Sequence, residues 1–253
     1  MEPLTIFLGS STAPLQYAAS ILRAQGWQIT EHPNGHVTHL LLPIPSIDQN
    51  GYIKGSNLNL NQLLQSLPEN ICVIGGNLNH IPIPQAQIID LLKDEAYLAK
   101  NAALTAHCAL KAVSRHIEYT FQDLPVLVIG WGRIGKCLAR LLRLLDANVT
   151  VAARKESDRA MLQALGYRSC NISQLSVEAS QFDLIFNTVP HPVLHAADCH
   201  PSALLTELAS SPGILGGGVI DARGLPGKEA PRSSGELIGK TILRITAGKE
   251  HAL

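Results

Sequence analysis

The chain has 253 residues, and its 20 Lys and Arg balance its 20 Asp and Glu to a formal net charge of zero. With no long basic block, that balance argues against a nucleic-acid partner, because displacing counterions from a polyanion takes clustered positive charge. No apolar run approaches the roughly 18 residues of a membrane span, and no basic leader opens the chain at Met1–Leu4; with five cysteines (Cys72, Cys108, Cys137, Cys170, Cys199) and no Cys-x-x-Cys pair, the expectation is a cytoplasmic chain without a membrane partner or a disulfide frame.

Taken in chain order, β-like runs alternate with helical stretches twice. Residues 5–9 read as a strand, 13–26 as an amphipathic helix, 27–31 and 39–45 as strands, 59–67 as a helix and 71–76 as a strand. Strands that alternate with helices at this spacing need crossover connections, which build a parallel sheet covered on both faces. Residues 86–117 read as mostly helical. Ala102, Ala103, Ala106, Ala109 and Ala112 make this segment thin enough to lie close to its neighbours, as a helix linking two domains must.

The second set has strands at 126–130, 148–154, 182–188 and 217–222, with helices at 133–145 and 157–165. The Gly- and Pro-rich run 223–235 is expected to break the pattern before a last helix over about 234–246. The expected fold class is therefore α/β, with two Rossmann-like parallel-sheet domains and an interdomain cleft. Residues 1–100 form the first domain and 101–233 the second, with 234–253 returning to pack on the first.

The stretch VLVIGWGRIGKCLARLL, residues 126–142, holds Gly130, Gly132 and Gly135 directly between an apolar strand and a helix. In that context Gly130 makes the tight turn, Gly132 lets a pyrophosphate reach the backbone, and Gly135 lets the helix lie against the strand. The helix N-terminus adds unpaired N–H groups and partial positive charge. The alternative is a tight strand-to-helix turn with nothing bound. At the end of the next strand an NAD-binding domain usually places an acidic residue, but Arg154 and Lys155 stand here. A guanidinium binds a 2′-phosphate where a carboxylate repels it, so NADP is expected over NAD. The competing reading makes both cations solvated loop charges, with Glu156 or Asp158 turned back to the ribose. Asn187, Thr188 and Pro190 close another strand at the edge where ligands bind. Thr188 either faces the nicotinamide or caps its loop. The expected cofactor-binding set is Gly130, Trp131, Gly132, Arg133, Ile134, Gly135, Arg154, Lys155, Thr188 and Pro190.

Residues 126–154, with NTVP (187–190), LASSPG (208–213) and RGLPGKEAPRSSGELI (223–238), together resemble the dehydrogenase-like A-subunit family of dipicolinate synthase. LLPIP (41–45) and NAALTA (101–106) fit the same family in order, so the resemblance runs from about Leu40 onward. Many dehydrogenases share the glycine motif; its combination with Leu-Pro-Gly-Lys-x-Ala-Pro is far more specific. The resemblance implies a two-domain dehydrogenase-like fold in a spore-forming bacterium. It further implies NADP-dependent oxidation of 4-hydroxy-tetrahydrodipicolinate, or its dehydrated form, to dipicolinate in sporulation, with a flavoprotein-like B-subunit as partner. Two places depart from the family pattern: His107 and Cys108 stand where Glu-Gly is typical, and Gly9-Ser10-Ser11-Thr12 replaces a Gly-Gly-Asp-x-Arg type loop. These departures leave open a divergent oxidoreductase of another small carboxylic acid, or a non-catalytic protein that senses NADP without turnover.

Such a reaction needs a proton acceptor and cations for the two carboxylates of a small dicarboxylate substrate. His107 is assigned proton transfer because imidazole titrates in the useful range; a structural histidine is the competing reading. Lys228 and Arg232 are assigned carboxylate contacts on a Gly/Pro-rich loop, against a solvated loop as the alternative. Ser10, Ser11 and Thr12, just before a helix, either bind a carboxylate through backbone N–H groups or serve as ordinary caps. His191, His195, Cys199 and His200 are not expected to hold a metal, because Pro192 disturbs the first pair's helix and no fourth ligand has a defined spacing. Adjacent residues on a helix point about 100° apart, so His107 and Cys108 are not expected to form a nucleophilic dyad. The alanine-rich helix and the last helix are both candidates for a homo-oligomer interface.

Overall fold

Thr5–Leu8 forms strand β1 in the computed structural model, which describes residues 4–78 and 87–250. Residues 1–3, on which the reading of the N-terminus rested, residue 86 of the expected linker helix and residues 251–253 of the expected returning segment lie outside the described residues. The chain divides into two compact units, Met1–Asn101 with Ala230–Leu253, and Ala102–Glu229.

The first unit continues with helix α1 (Ala13–Ala24), β2 (Gln28–Thr30), β3 (His39–Leu41), α2 (Leu60–Gln65), β4 (Cys72–Gly75) and β5 (Gln87–Asp90). Its strands are all parallel, in the order β2-β1-β3-β4-β5. Successive residues of a strand point to opposite faces, and here both faces are covered. Ile6 and Leu41 join Leu15 and Leu22 of α1 in one buried cluster. Their neighbours Phe7 and Leu40 join Leu60 and Leu63 of α2 in another. That double burial is why these strands read as continuous apolar runs.

Residues 87–90 correct the expectation of helix from 86 onward. They pair with β4 as a strand, followed by a single 3₁₀ turn at Leu91–Lys93 and then by α3 (Glu95–Val113). Asp90 enforces the break: its carboxylate accepts the Leu92 N–H at 2.9 Å and the Asn77 and Leu78 N–H groups at 3.2 and 2.9 Å. Asp94 then starts α3 by accepting the Tyr97 N–H at 2.7 Å.

The second unit runs β6 (Pro125–Ile129), α4 (Arg133–Leu144), β7 (Asn148–Ala152), α5 (Glu156–Ala164), β8 (Arg168–Cys170), α6 (Leu175–Glu178), β9 (Leu184–Asn187), β10 (Leu194–His195), β11 (Leu204–Glu207), β12 (Ile214–Leu215), β13 (Val219–Asp221) and α7 (Leu225–Glu229). Six parallel strands lie in the order β13-β11-β9-β6-β7-β8, and β10 pairs with β12 as a separate two-stranded ribbon. Strands β8 and β11 are absent from the sequence-based expectation. The first is three residues without apolar alternation, and the second, LLTE, lacks the β-branched enrichment that marks a strand.

The run 223–235 is also corrected. Most of it is helical: α7 covers 225–229, and α8 (Pro231–Glu250) starts at once. Pro226 and Pro231 occupy first-turn positions, where the missing N–H costs no intrahelical bond. Helix α8 packs along α1 in the first unit, with Ile238 and Ile242 buried beside Leu15 and Leu22. Its approach is set by Gly235 and Gly239, one turn apart. A Cβ at Gly235 would sit 2.5 Å from Tyr17 Cβ and 3.0 Å from the Ala18 nitrogen.

Candidate functional site

The site starts where β6 ends. Strand β6 lies between β7 and β9, so the connections on its two sides leave in opposite directions and open a crevice at the carboxyl edge. Gly130 turns the chain there with φ of +105°, a left-handed value that favours glycine. Its N–H donates to the Ala152 carbonyl at 2.9 Å, which ties the turn to β7. On the other side Thr188 donates to the Ile129 carbonyl from both its N–H, at 2.9 Å, and its hydroxyl, at 2.8 Å. A Cβ at Gly130 would meet Thr188 Oγ1 at 2.5 Å, and a Cβ at Gly135 would collide with the Gly130 carbonyl oxygen. Both glycines are thus required by packing. Gly132 is different: a Cβ there meets nothing within 4 Å.

Gly132 occupies the N-cap of α4 and contributes no capping side chain. The first-turn N–H groups therefore border open space, and helix polarity places partial positive charge there. This fits a dinucleotide pyrophosphate, the group for which such a turn supplies backbone donors. Trp131, half-buried, packs edge-on against Tyr167 with ring centroids 5.8 Å apart, and Lys136 Nζ lies 5.6 Å from its ring centroid. Arg133 is exposed and Ile134 half-buried in the first turn of α4.

At the edge of β7, Arg154 and Lys155 are exposed, with Lys155 at the N-cap of α5 and Glu156 and Asp158 in its first turn. Arg159, one turn further along α5, donates from Nη1 to the Ala153 carbonyl at 3.0 Å and the Arg154 carbonyl at 2.8 Å. Beyond β9, Asn187 is buried and Pro190 exposed. Asn187 Nδ2 donates to both carboxylate oxygens of Glu207, at 2.8 and 3.0 Å, and to the Val189 carbonyl at 2.9 Å. Sequence reasoning missed both Arg159 and Glu207. Their only local signals are a basic residue inside an amphipathic helix and an acid at the end of an apolar run.

The remaining expected residues lie on separate elements of the two units. His107 is exposed on α3, flanked by buried Ala106 and Cys108. Burial first, and then the nearby Glu229 carboxylate, pushes the Cys108 thiol upward, away from the thiolate a nucleophile needs. Lys228 is exposed on α7. It adds to the field that holds the Asp221 carboxyl down to about 2, the larger cause being hydrogen bonds from the Arg223 guanidinium. Glu229 accepts two bonds from Arg115, at 2.7 and 2.6 Å, and thereby ties α7 to the segment that follows α3. Arg232 is not on a loop: it lies in the first turn of α8, 76% exposed, with Nε donating to Glu236 at 3.0 Å.

Ser10, Ser11 and Thr12 lie at the carboxyl end of β1, where the order of the first sheet reverses between β1 and β3. Ser10 is buried and Ser11 exposed, while Thr12 occupies the α1 N-cap without a capping bond from its side chain. His195 Nδ1 accepts the Ala197 N–H and His200 Nδ1 pairs with the Ser202 hydroxyl; among the described residues no cluster of three or more His, Cys, Asp or Glu side chains is able to hold a metal ion. Among the same residues no helix is long and apolar enough to cross a membrane.

No family model matches the chain. Over 172 residues, 64% of the chain, it is 27% identical to the dipicolinate synthase A-subunit of Bacillus subtilis, and the match spans 58% of that relative's length. The crystal structure of the dipicolinate synthase A-subunit from Bacillus halodurans superposes with a TM-score of 0.84 at 22% identity, covering 96% of this chain and 97% of that one. The transhydrogenase structure from Sinorhizobium meliloti gives a TM-score of 0.69 at 12% identity, covering 95% of this chain and 93% of that one. The chain thus resembles the dipicolinate synthase A-subunit in sequence and in fold, and its Rossmann-like α/β architecture is one it shares with a transhydrogenase.

Proposed function

We propose that this chain is an NADP-dependent oxidoreductase that converts 4-hydroxy-tetrahydrodipicolinate, or its dehydrated form, to dipicolinate in sporulation. The observation that carries the reading is the Gly130–Gly135 turn at the reversal point of a six-stranded parallel sheet, with open space over Gly132 and two cations at the edge of β7. The substrate rests on the similarity to the dipicolinate synthase A-subunit.

When bound, NADP supplies the hydride acceptor. The protein's own task is to bind and orient, since the drive toward an aromatic ring resides in the substrate. The first-turn N–H groups of α4 hold the pyrophosphate, and Arg154 and Lys155 pair with the 2′-phosphate. Thr188 and Pro190 border the nicotinamide end. The substrate carboxylates are assigned to Lys228, Arg232 and the Ser10–Thr12 turn; Arg232 must first exchange its bond to Glu236. His107 takes the proton released as the ring is oxidised. The setting is cytoplasmic, with the flavoprotein-like B-subunit as partner and self-association of the chain as a further contact.

Mixing the purified chain with NADP and freshly generated 4-hydroxy-tetrahydrodipicolinate tests the reading. Reduced nicotinamide and dipicolinate are expected to rise together in the ultraviolet. NADP binding by calorimetry with no turnover, even after the flavoprotein-like partner is added, would turn the reading into a nucleotide sensor. Within the enzyme reading, His107→Ala is expected to lower turnover by roughly 10²- to 10⁴-fold with NADP affinity unchanged. Full turnover in that variant removes His107 from the chemistry.

A further inference from the structure

The two cations at the edge of β7 are exposed, so their grip on a phosphate depends on how firmly the backbone beneath them is held, since a long free side chain already loses rotamer entropy when it is fixed. That backbone is tied on two sides. The Ala153 N–H donates to the Cys170 carbonyl of β8 at 3.0 Å. From α5, the Arg159 guanidinium donates to the Ala153 and Arg154 carbonyls at 3.0 and 2.8 Å, so two consecutive peptide oxygens are turned onto one cation. The Ser169 hydroxyl of β8 lies 3.5 Å from the Arg159 carbonyl. Arg159 also adds a third positive charge to Arg154 and Lys155 beside Glu156 and Asp158.

We propose that Arg159 is a positioning residue for dinucleotide selectivity: by bonding the Ala153 and Arg154 carbonyls it sets the backbone from which Arg154 meets a 2′-phosphate. The inference rests on the nucleotide reading above and deepens it, because it names the group that sets the preference for phosphorylated over unphosphorylated ribose. A guanidinium that positions another guanidinium leaves a signature that simple loss of a stabilising bond does not. It changes the ratio of the two affinities, and only while Arg154 is present.

The test is calorimetric binding of NADP, NAD, 2′,5′-ADP and 5′-AMP to the full chain and to Arg159→Ala, Arg159→Lys, Arg154→Gln and the Arg154→Gln/Arg159→Ala double variant. Removing Arg159 is expected to weaken NADP and 2′,5′-ADP about tenfold or more while NAD and 5′-AMP stay within about threefold. Arg159→Lys keeps the charge and the aliphatic stem but not the forked donor. It guards against a misfolded alanine variant and is expected to fall between the two. In the Arg154→Gln background, Arg159→Ala is expected to add no further loss of selectivity. Equal weakening of all four ligands, or no weakening, overturns the proposal. So does a selective loss on Arg159→Ala that persists undiminished without Arg154, since Arg159 would then touch the phosphate itself. Selectivity that falls in Arg154→Gln but not in Arg159→Ala or Arg159→Lys overturns this inference alone. A wild-type chain that binds NAD as tightly as NADP overturns the cofactor reading with it.

Discussion

A carboxylate withdrawn from water is tolerated only where donors surround it, and Glu207 is such a case. It is 4% exposed and accepts the Asn187 amide together with the backbone N–H groups of Ala209, Gly213 and Ile214 at 2.9, 2.7 and 3.2 Å. One side chain thereby joins the turns that follow β9 and β11, including the turn that carries Thr188 and Pro190. Glu207→Gln would turn an NH2 donor onto groups that are themselves donors. The expected loss is about 1–3 kcal/mol of unfolding free energy, read as a lower urea midpoint at unchanged slope. An unchanged midpoint would show that the second oxygen is dispensable. The glycine turn was legible because its demands are local: a positive φ at Gly130 and a backbone collision at Gly135 lie within six residues. Glu207 was not, because its partners sit on segments whose own residue types do not announce an acceptor.

Helices α1 and α8 illustrate how an element finds its place. Gly235 and Gly239 are poor helix formers, so their use costs helix propensity that only close packing recovers. A Cβ at Gly235 would press on Tyr17 Cβ and on Pro14 and Ala18 backbone atoms, whereas at Gly239 the first neighbour is Ile21 Cβ at 2.9 Å, followed by the Ala18 carbonyl at 3.1 Å. Alanine gains up to about 1 kcal/mol in helix propensity, and overpacking typically costs about 1–3 kcal/mol. Both Gly→Ala variants are therefore expected to lower the thermal midpoint, Gly235→Ala by more. A rise in either would show that the two helices separate without penalty. The misread elements have equally concrete causes. Ile88 and Ile89 resemble the start of a buried helix until Asp90 takes three N–H groups and stops it, and the prolines of 225–231 resemble a loop until each falls in a first turn.

Across the molecule, buried protonated groups set the response to pH. Burial foremost, with Glu178 second, pushes the Cys170 thiol from its ordinary 9.0 up to about 12. Burial likewise raises the Tyr97 phenol. Both groups ionise at lower pH in the unfolded chain than in the folded one. Between about pH 9 and pH 12 the unfolded state therefore binds fewer protons, and stability present below that window is lost as pH rises through it. Asp221 works in the opposite sense. Its carboxyl is held down to about 2, so its contribution is present above the usual carboxylate range and is lost as pH falls toward 2. Asp221 and its partner Arg223 are both exposed, so solvent screens their contribution. Thermal midpoints across this range should fall less steeply above pH 9 in Cys170→Ala than in the parent chain, and an identical slope would clear Cys170.

What the sequence by itself determined is whatever lies within one element or one turn. The alternation of strands and helices requires crossovers and hence parallel sheets, and the Gly130–Gly135 spacing requires a tight strand-to-helix turn. Arg154 stands where an acid is usual. The tertiary structure alone decided the strand orders, the recruitment of β8 and β11, the burial of Glu207 and the reach of Arg159 back to two carbonyls. Those contacts obey only the general rule that a donor meets an acceptor. Many residues in the chain satisfy that rule equally well, so the partner is chosen by the path of the backbone that brings distant segments to one edge of a sheet.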